Sequence, residues 1–221
     1  MVRVGDRDDK TELFDQFARV GKALAAGKRL ELLDLLAQGE RDVASLAAAA
    51  DLGLTTASAH LQTLRRANLV ATRRDGTRVL YRLAGSDVAD LFARLREVAR
   101  SHLPDVEAAR LTYLGEDGGQ PVTREQLQRL AKTRRVTVLD VRPADEYAAG
   151  HIPGALSIPL DELIDRLAEV PDDGRIIAYC RGAYCVLSHD AVRVLTAHGR
   201  DATRLADGML EWQLAGLPVA T

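Results

Sequence analysis

The sequence predicts a mixed protein: a mainly α-helical N-terminal domain closed by a β-hairpin, then a C-terminal α/β domain built on a parallel sheet. Three observations predict this. Apolar residues recur at helical spacing through the first third of the chain. The period then changes to two on either side of Asp75-Gly76. Beyond a Gly-rich polar stretch, short apolar strands alternate with helices, the pattern of a parallel sheet with covered faces. The 221 residues suit two domains, and a hydrophobic content of 47% can build a core in each.

Each element has a local signal. Leu13, Phe14, Phe17, Val20 and Leu24 mark a first amphipathic helix, broken at Gly27. Leu30, Leu32, Leu33, Leu35 and Leu36 mark a second, with Gly39 read as its left-handed cap. A short helix through Val43, Leu46 and Ala47 meets a turn at Asp51-Leu52-Gly53. The next helix begins near Thr55 and buries Ala57, Leu61 and Leu64. Two helices joined by a tight Gly-containing turn are a helix-turn-helix. Strands 69–73 and 78–83 then flank Asp75-Gly76, a strong hairpin signal. A long helix follows the N-cap Ser86, with Val88, Leu91, Phe92, Leu95, Val98, Ala99, His102 and Leu103 on its apolar stripe. The first and last helices carry more apolar surface than one small core needs, which suggests a dimer face.

Residues 113–121 read as a linker, dividing a domain over 1–112 from one over 122–221. In the second domain Thr123-Arg124-Glu125-Gln126 is a capping box. Val136–Val141 and Ile176–Tyr179 read as buried strands. Asp161–Val170 reads as a helix stopped by Pro171, and a further helix runs from about Val186 to His198.

The net charge of −2 hides a local feature. Residues 1–115 hold 18 Lys and Arg against 16 Asp and Glu, whereas residues 116–221 hold 12 against 16. Arg65, Arg66, Arg73, Arg74, Arg78 and Arg82 face only Asp75 within segment 65–82. Such a cluster suits a phosphate backbone, or is a solvated basic face. No apolar run approaches a membrane span, and the charged N-terminus has no apolar core for a secretion signal, so the protein reads as cytoplasmic with no membrane partner. Two cysteines, Cys180 and Cys185, are too few for a disulfide scaffold or a structural zinc site; no metal and no cofactor is expected. Redox or nucleophilic chemistry is the more economical account of them.

In a winged helix-turn-helix the second helix enters the major groove while the hairpin touches the backbone. Thr55, Thr56, Ser58, Ala59, His60 and Gln62 are the residues that face outward on that helix and could approach base edges. Arg65 and Arg66 at its end, and Arg73, Arg74 and Arg78 on the wing, would meet phosphates. The string Ala57-Ser58-Ala59-His60-Leu61-Gln62-Thr63-Leu64-Arg65-Arg66-Ala67-Asn68-Leu69-Val70, running into Arg73-Arg74-Asp75-Gly76-Thr77-Arg78-Val79-Leu80-Tyr81, resembles the ArsR/SmtB family across roughly residues 12–108. That resemblance implies a homodimer formed by the first and last helices, reading a palindromic double-stranded DNA operator and released by an inducer. The metal-sensing members carry cysteines near Val43–Ala47; this chain has none there, and His102 with Asp105 is a poor substitute.

Ile176-Ile177-Ala178-Tyr179 runs directly into Cys180-Arg181-Gly182-Ala183-Tyr184-Cys185 and then a helix. A cysteine between a strand end and a helix start gains the helix dipole and converging backbone N–H groups, which stabilise a thiolate. The expectation is therefore an accessible Cys180 anion. Residues 123–219 resemble a single rhodanese domain. The motifs are Leu139-Asp140-Val141-Arg142-Pro143-Ala144-Asp145-Glu146-Tyr147, Gly150-His151-Ile152-Pro153-Gly154-Ala155, and Asp207-Gly208-Met209-Leu210-Glu211-Trp212 with Gly216-Leu217-Pro218. The resemblance implies that Cys180 is the sulfur-accepting nucleophile, that amides from Arg181 through Gly182, Ala183 and Tyr184 to Cys185 cradle an anion, and that Asp140 and Arg142 support the loop. His151 reads as a structural turn residue more than a general base. Many sulfurtransferases place Arg where this chain has Cys185, so the loop gains a second thiol at the expense of a cation that would bind an anionic donor.

Together these readings point to a transcription regulator, in the sense of a repressor, that senses a sulfane-sulfur donor or an oxidant through Cys180 and Cys185. The alternative is a thiosulfate or persulfide sulfurtransferase whose helical half serves only to dimerise it. Oxyanion reduction by a phosphatase-like loop is disfavoured, because no Arg closes the loop.

Overall fold

A computed structural model describes residues 6–116, 119–131 and 136–221. The chain divides into two compact units, 1–92 and 93–221, with the division falling inside one helix. In the first unit, α1 (Arg7–Leu24) and α2 (Gly27–Leu36) precede the short β1 (Arg41–Asp42). Next come α3 (Val43–Ala49), α4 (Leu54–Arg66), β2 (Val70–Asp75) and β3 (Arg78–Leu83). Helix α5 (Ser86–His102) buries Val88, Ala89 and Phe92 in its first half.

Leu32, Leu33, Leu36, Leu46, Leu61, Leu64 and Tyr81 form one core, which ties the helix-turn-helix to the hairpin. The Asp42 side chain accepts from Ser45 N–H at 2.8 Å, capping α3. Asn68, with φ of 56°, reverses the chain after α4, and Leu69 N–H returns to Leu64 O. The three strands lie in the order β1-β3-β2, all antiparallel.

Two local readings shift here. Helix α2 ends at Leu36 with Ala37 as its cap, so Gly39 is not the capping residue. The hairpin pairs Asp75 with Arg78, which makes Gly76 and Thr77 the loop. Only Gly76 has positive φ, 58°, so glycine takes the first loop position, one residue on from the Asp-Gly reading.

The second unit begins within α5 and continues through α6 (Pro104–Leu114), α7 (Arg124–Ala131) and β4 (Val136–Asp140). Helix α8 (Ala144–Ala149), β5 (Leu156–Ser157) and β6 (Arg175–Tyr179) follow. The unit ends with α9 (Val186–Ala197), β7 (Ala202–Arg204) and α10 (Met209–Leu214). Its strands lie in the order β5-β4-β6-β7, every pair parallel. One face buries Ile177 and Tyr179 with Leu127, Met209 and Trp212; the other buries Ile176 and Ala178 with Ala191 and Leu195. The alternation along β6 is the period of two that a strand covered on both faces requires.

Two expectations change in this unit. Tyr113 and Leu114, read as linker, form the last turn of α6, and Leu114 is buried. Pro104 at the first position and Asp105 and Glu107 in the first turn are the signals for that helix. Segment 161–170 is not an α-helix: two short 3₁₀ turns, Leu160–Glu162 and Leu167–Glu169, take its place. Leu160 with Leu163, and Leu167 with Val170, are spaced by three, which suits three residues per turn. The capping box at α7 forms in full: Thr123 N–H donates to Gln126 Oε1 and Gln126 N–H to Thr123 Oγ1. Among the described residues no helix is long and apolar enough to cross a membrane.

Candidate functional site

In the first unit α4 presents Thr55, Thr56 and Ala59 to solvent, with Ser58 and His60 half-buried, and Arg65 and Arg66 exposed at its C-terminal end. Arg74 and Arg78 are exposed near the hairpin tip. Two of the expected DNA-facing residues are otherwise engaged. Gln62 donates its amide to the Tyr81 hydroxyl at 3.1 Å, so it braces α4 against β3 instead of pointing outward. Arg73 hydrogen-bonds through Nε to Glu40, which also lies 3.7 Å from Arg82. That carboxylate neutralises part of the wing's charge, and it lies outside the segment in which the arginine cluster was recognised.

In the second unit the loop from β6 to α9 holds both cysteines. Its backbone is pinned by α10: Met209 N–H donates to Cys180 O at 2.9 Å and Leu210 N–H to Arg181 O at 3.0 Å. Gly208 makes this approach possible, since a Cβ there would lie 2.5 Å from Cys180 O and closer still to Gly182. The Gly208 N–H donates to Glu211 Oε2, and Glu211 pairs with Arg96, whose guanidinium also lies 5.2 Å from the Tyr184 ring centre. Gly182 is buried, while Ala183 and Tyr184 are half-buried. Arg181 is clamped on buried Glu146 by three hydrogen bonds of 2.6–3.0 Å.

Cys180 is not the accessible anion that the sequence suggests. It is 1% exposed and belongs to the apolar face made by Ile176, Ala178, Ala191 and Leu195. The reason is parity: residue 180 continues the alternation of 176 and 178, so its side chain turns under α9. Burial pushes its thiol well up, and the hydrogen bond and negative charge at Cys185 add to that. The Cys180 Sγ lies 3.4 Å from Ser188 Oγ and 3.4 Å from Cys185 O.

Cys185 has the opposite environment. It is part-exposed at the N-cap of the twelve-residue α9. Its thiol is held below the ordinary value, first by the hydrogen bond from Cys180, then by the N–H groups of Arg181 and Leu187 and the charge of Arg181. Of the amides expected to form a cradle, one is engaged within the loop itself. Cys185 N–H is spent on Gly182 O at 3.1 Å.

Asp140 and Arg142, expected to support the loop, pair with each other at the end of β4. Both side chains are fully buried, joined by hydrogen bonds of 2.6–3.2 Å, and Arg142 also donates to Gly150 O. Tyr179, next to Cys180, accepts from Ile152 N–H and has its hydroxyl pK raised by burial and by Asp140. His151 stacks on Tyr147 at 3.7 Å and its Nδ1 lies 3.0 Å from Tyr147 O. Sequence reasoning passed over Ser188, Glu146 as the partner of Arg181, and Glu40. Only Ser188 carried a signal, since it lies three residues after the N-cap cysteine, in the first turn of the helix.

Comparison with known proteins agrees with both halves. Residues 27–72 match the bacterial regulatory protein arsR family, and residues 123–215 match the rhodanese-like domain. An HTH-type transcriptional regulator of Mycobacterium tuberculosis is 58% identical over 217 residues, 97% of this chain and 95% of that protein. A sulfurtransferase of Allochromatium vinosum is 35% identical over 92 residues, 42% of this chain and 85% of that one. A solved homodimeric winged helix-turn-helix DNA-binding domain from Mycobacterium bovis is 57% identical and covers 47% of this chain and 95% of its own, with a TM-score of 0.43. The chain belongs to the arsR family of bacterial transcriptional regulators and carries a rhodanese-like domain at its C-terminal end.

Proposed function

We propose that this regulator is a cytoplasmic homodimer that represses transcription from a double-stranded DNA operator and senses reactive sulfur or oxidants through Cys180 and Cys185. The observation that carries the sensing role is the pair itself. Two thiols share one strand–helix loop, Cys180 buried with its thiol pushed up by burial and Cys185 part-exposed with its thiol held below the ordinary value. Such a pair stores a two-electron change as a disulfide or a persulfide. Exposed Thr55, Thr56 and Ala59 with Arg65, Arg66, Arg74 and Arg78 support DNA contact through α4 and the wing. Exposed Leu13, Phe14 and Phe17 on α1 support a dimer face.

Sustained sulfurtransferase turnover is less well supported. A donor would have to reach a sulfur under α9, and Cys185 stands where a donor-binding cation would help. The test is operator binding by the full chain, with and without inorganic polysulfide. Wild type should lose affinity and recover it with dithiothreitol, while the double variant Cys180→Ser with Cys185→Ser should not respond. Equal affinity in both proteins before and after polysulfide would remove the sensing role.

A further inference from the structure

We propose that Arg96 is a positioning residue for the cysteine loop: it balances the Glu211 carboxylate that lies against Gly182, so that the loop can hold a negative charge on sulfur. This role rests on the sensing reading above. It also brings a residue from outside the rhodanese-like segment 123–215 into the working part of the loop. Arg96 lies on α5, in the same compact unit as the loop. Three observations carry the assignment.

Position comes first. A Cβ on Gly182 would lie 3.3 and 3.4 Å from the two Glu211 carboxylate oxygens and 3.5 Å from Arg96 Nη1. Both charges therefore rest against the middle of the loop. Contact comes second. Arg96 Nη2 donates to Glu211 Oε1, while Glu211 Oε2 accepts from Gly208 N–H at 3.0 Å. The same guanidinium lies 5.2 Å from the Tyr184 ring centre. One side chain thus touches both the loop and α10, whose N–H groups hold Cys180 O and Arg181 O. Environment comes third. The Arg96 and Glu211 side chains are 18% and 16% exposed, so water screens little of either charge.

The neighbouring charges are taken up elsewhere. Arg124 pairs with Asp207 at 2.8 Å and reaches Glu211 through its backbone carbonyl. The Asp207 carboxyl is pushed up, first by burial, with the negative charge of Glu211 adding to it; Glu125 and Arg204 complete its charged surroundings. Across the loop Arg181 is clamped on Glu146 at 2.6 Å, and His189 is buried on α9. Without Arg96, Glu211 would stand as an unbalanced negative charge beside a loop that must form a thiolate to react. Such a charge raises the pH at which the thiols react and repels an anionic sulfur donor.

The test compares full-length wild type with Arg96→Met, Arg96→Lys, Glu211→Gln, and the double variant Arg96→Met with Glu211→Gln. Iodoacetamide labelling of each loop cysteine is followed across a pH series by peptide mass spectrometry, and persulfide formed from inorganic polysulfide is measured at neutral pH. Arg96→Met should raise the labelling midpoint by about half a pH unit or more and slow sulfur uptake about threefold or more. Arg96→Lys should stay near wild type. The double variant lacks the same contact but also lacks the unbalanced charge, so its midpoint should return toward wild type. A wild-type midpoint in Arg96→Met, or a double variant as shifted as the single one, overturns the role of Arg96 and leaves the sensing reading intact. Should Arg96→Met fail to fold, Glu211→Gln decides. It leaves the cation in excess and should lower the midpoint, and an unchanged or higher midpoint overturns the role. A wild type that takes up no sulfur overturns the sensing reading, while the pH profiles still decide the role of Arg96.

Discussion

Gly208→Ala should damage the cysteine loop without touching either cysteine. Gly208 has φ of −143°, a region open to any residue, so the substitution carries no backbone strain. Its cost is contact alone. The new Cβ would sit 2.5 Å from Cys180 O and nearer still to the Gly182 backbone, about 1 Å inside a normal contact of roughly 3.5 Å. Both obstacles are main chain, so no rotamer change relieves them. Moving the loop outward by about 1 Å lengthens the hydrogen bonds Met209 N to Cys180 O and Leu210 N to Arg181 O past useful range. Overpacking costs about 1–3 kcal/mol, and each weakened backbone hydrogen bond about 1 kcal/mol. The expected loss is therefore about 2–4 kcal/mol, a fall in Tm on the order of 10 °C. Urea unfolding followed by circular dichroism measures the first quantity, and the iodoacetamide rate at Cys185 reports whether the loop has moved. A change below about 0.5 kcal/mol with an unaltered labelling rate would refute the packing argument.

Other consequences follow from particular contacts. Arg142→Met leaves the Asp140 carboxylate buried without its partner and should destabilise the protein by about 3–5 kcal/mol in denaturant titration. Asp42→Ala removes the cap of α3 and should cost about 1 kcal/mol. The Asp42 carboxyl is held below its ordinary value, first by the Ser45 N–H, so its contribution is present above the unfolded-state pK and fades as pH falls through the folded one. The stability gap between Asp42→Ala and wild type should accordingly shrink in acid. On the wing, Arg74→Ala should weaken binding to all DNA sequences alike and reduce the salt slope by about one. Arg73→Ala, already paired with Glu40, should change that slope less. Fluorescence anisotropy across a salt series separates the two.

Much of the architecture was readable because secondary structure is encoded at short range. The helical stripes of α4 and α5, the switch to period two at the wing, and the capping box of α7 depend on neighbours a few residues apart. Errors of reading were also local in kind. Segment 161–170 has apolar spacing that serves 3₁₀ turns as well as a helix, and α6 runs through residues whose composition suggested the end of a domain and a linker.

The functional residues divide differently. That a strand end and a helix start flank two cysteines is a property of the sequence alone. Which cysteine is buried is not, although counting parity from Ile176 would have placed residue 180 under α9. The partners that set each group's chemistry lie far off in the chain: Glu146 for Arg181, Gly208 against Gly182, Glu40 for Arg73. Residue type and spacing determined which groups could react and which elements would carry them. Packing decided which of those groups water reaches and which charges are already neutralised, because desolvation and pairing depend on atoms brought together only by the fold.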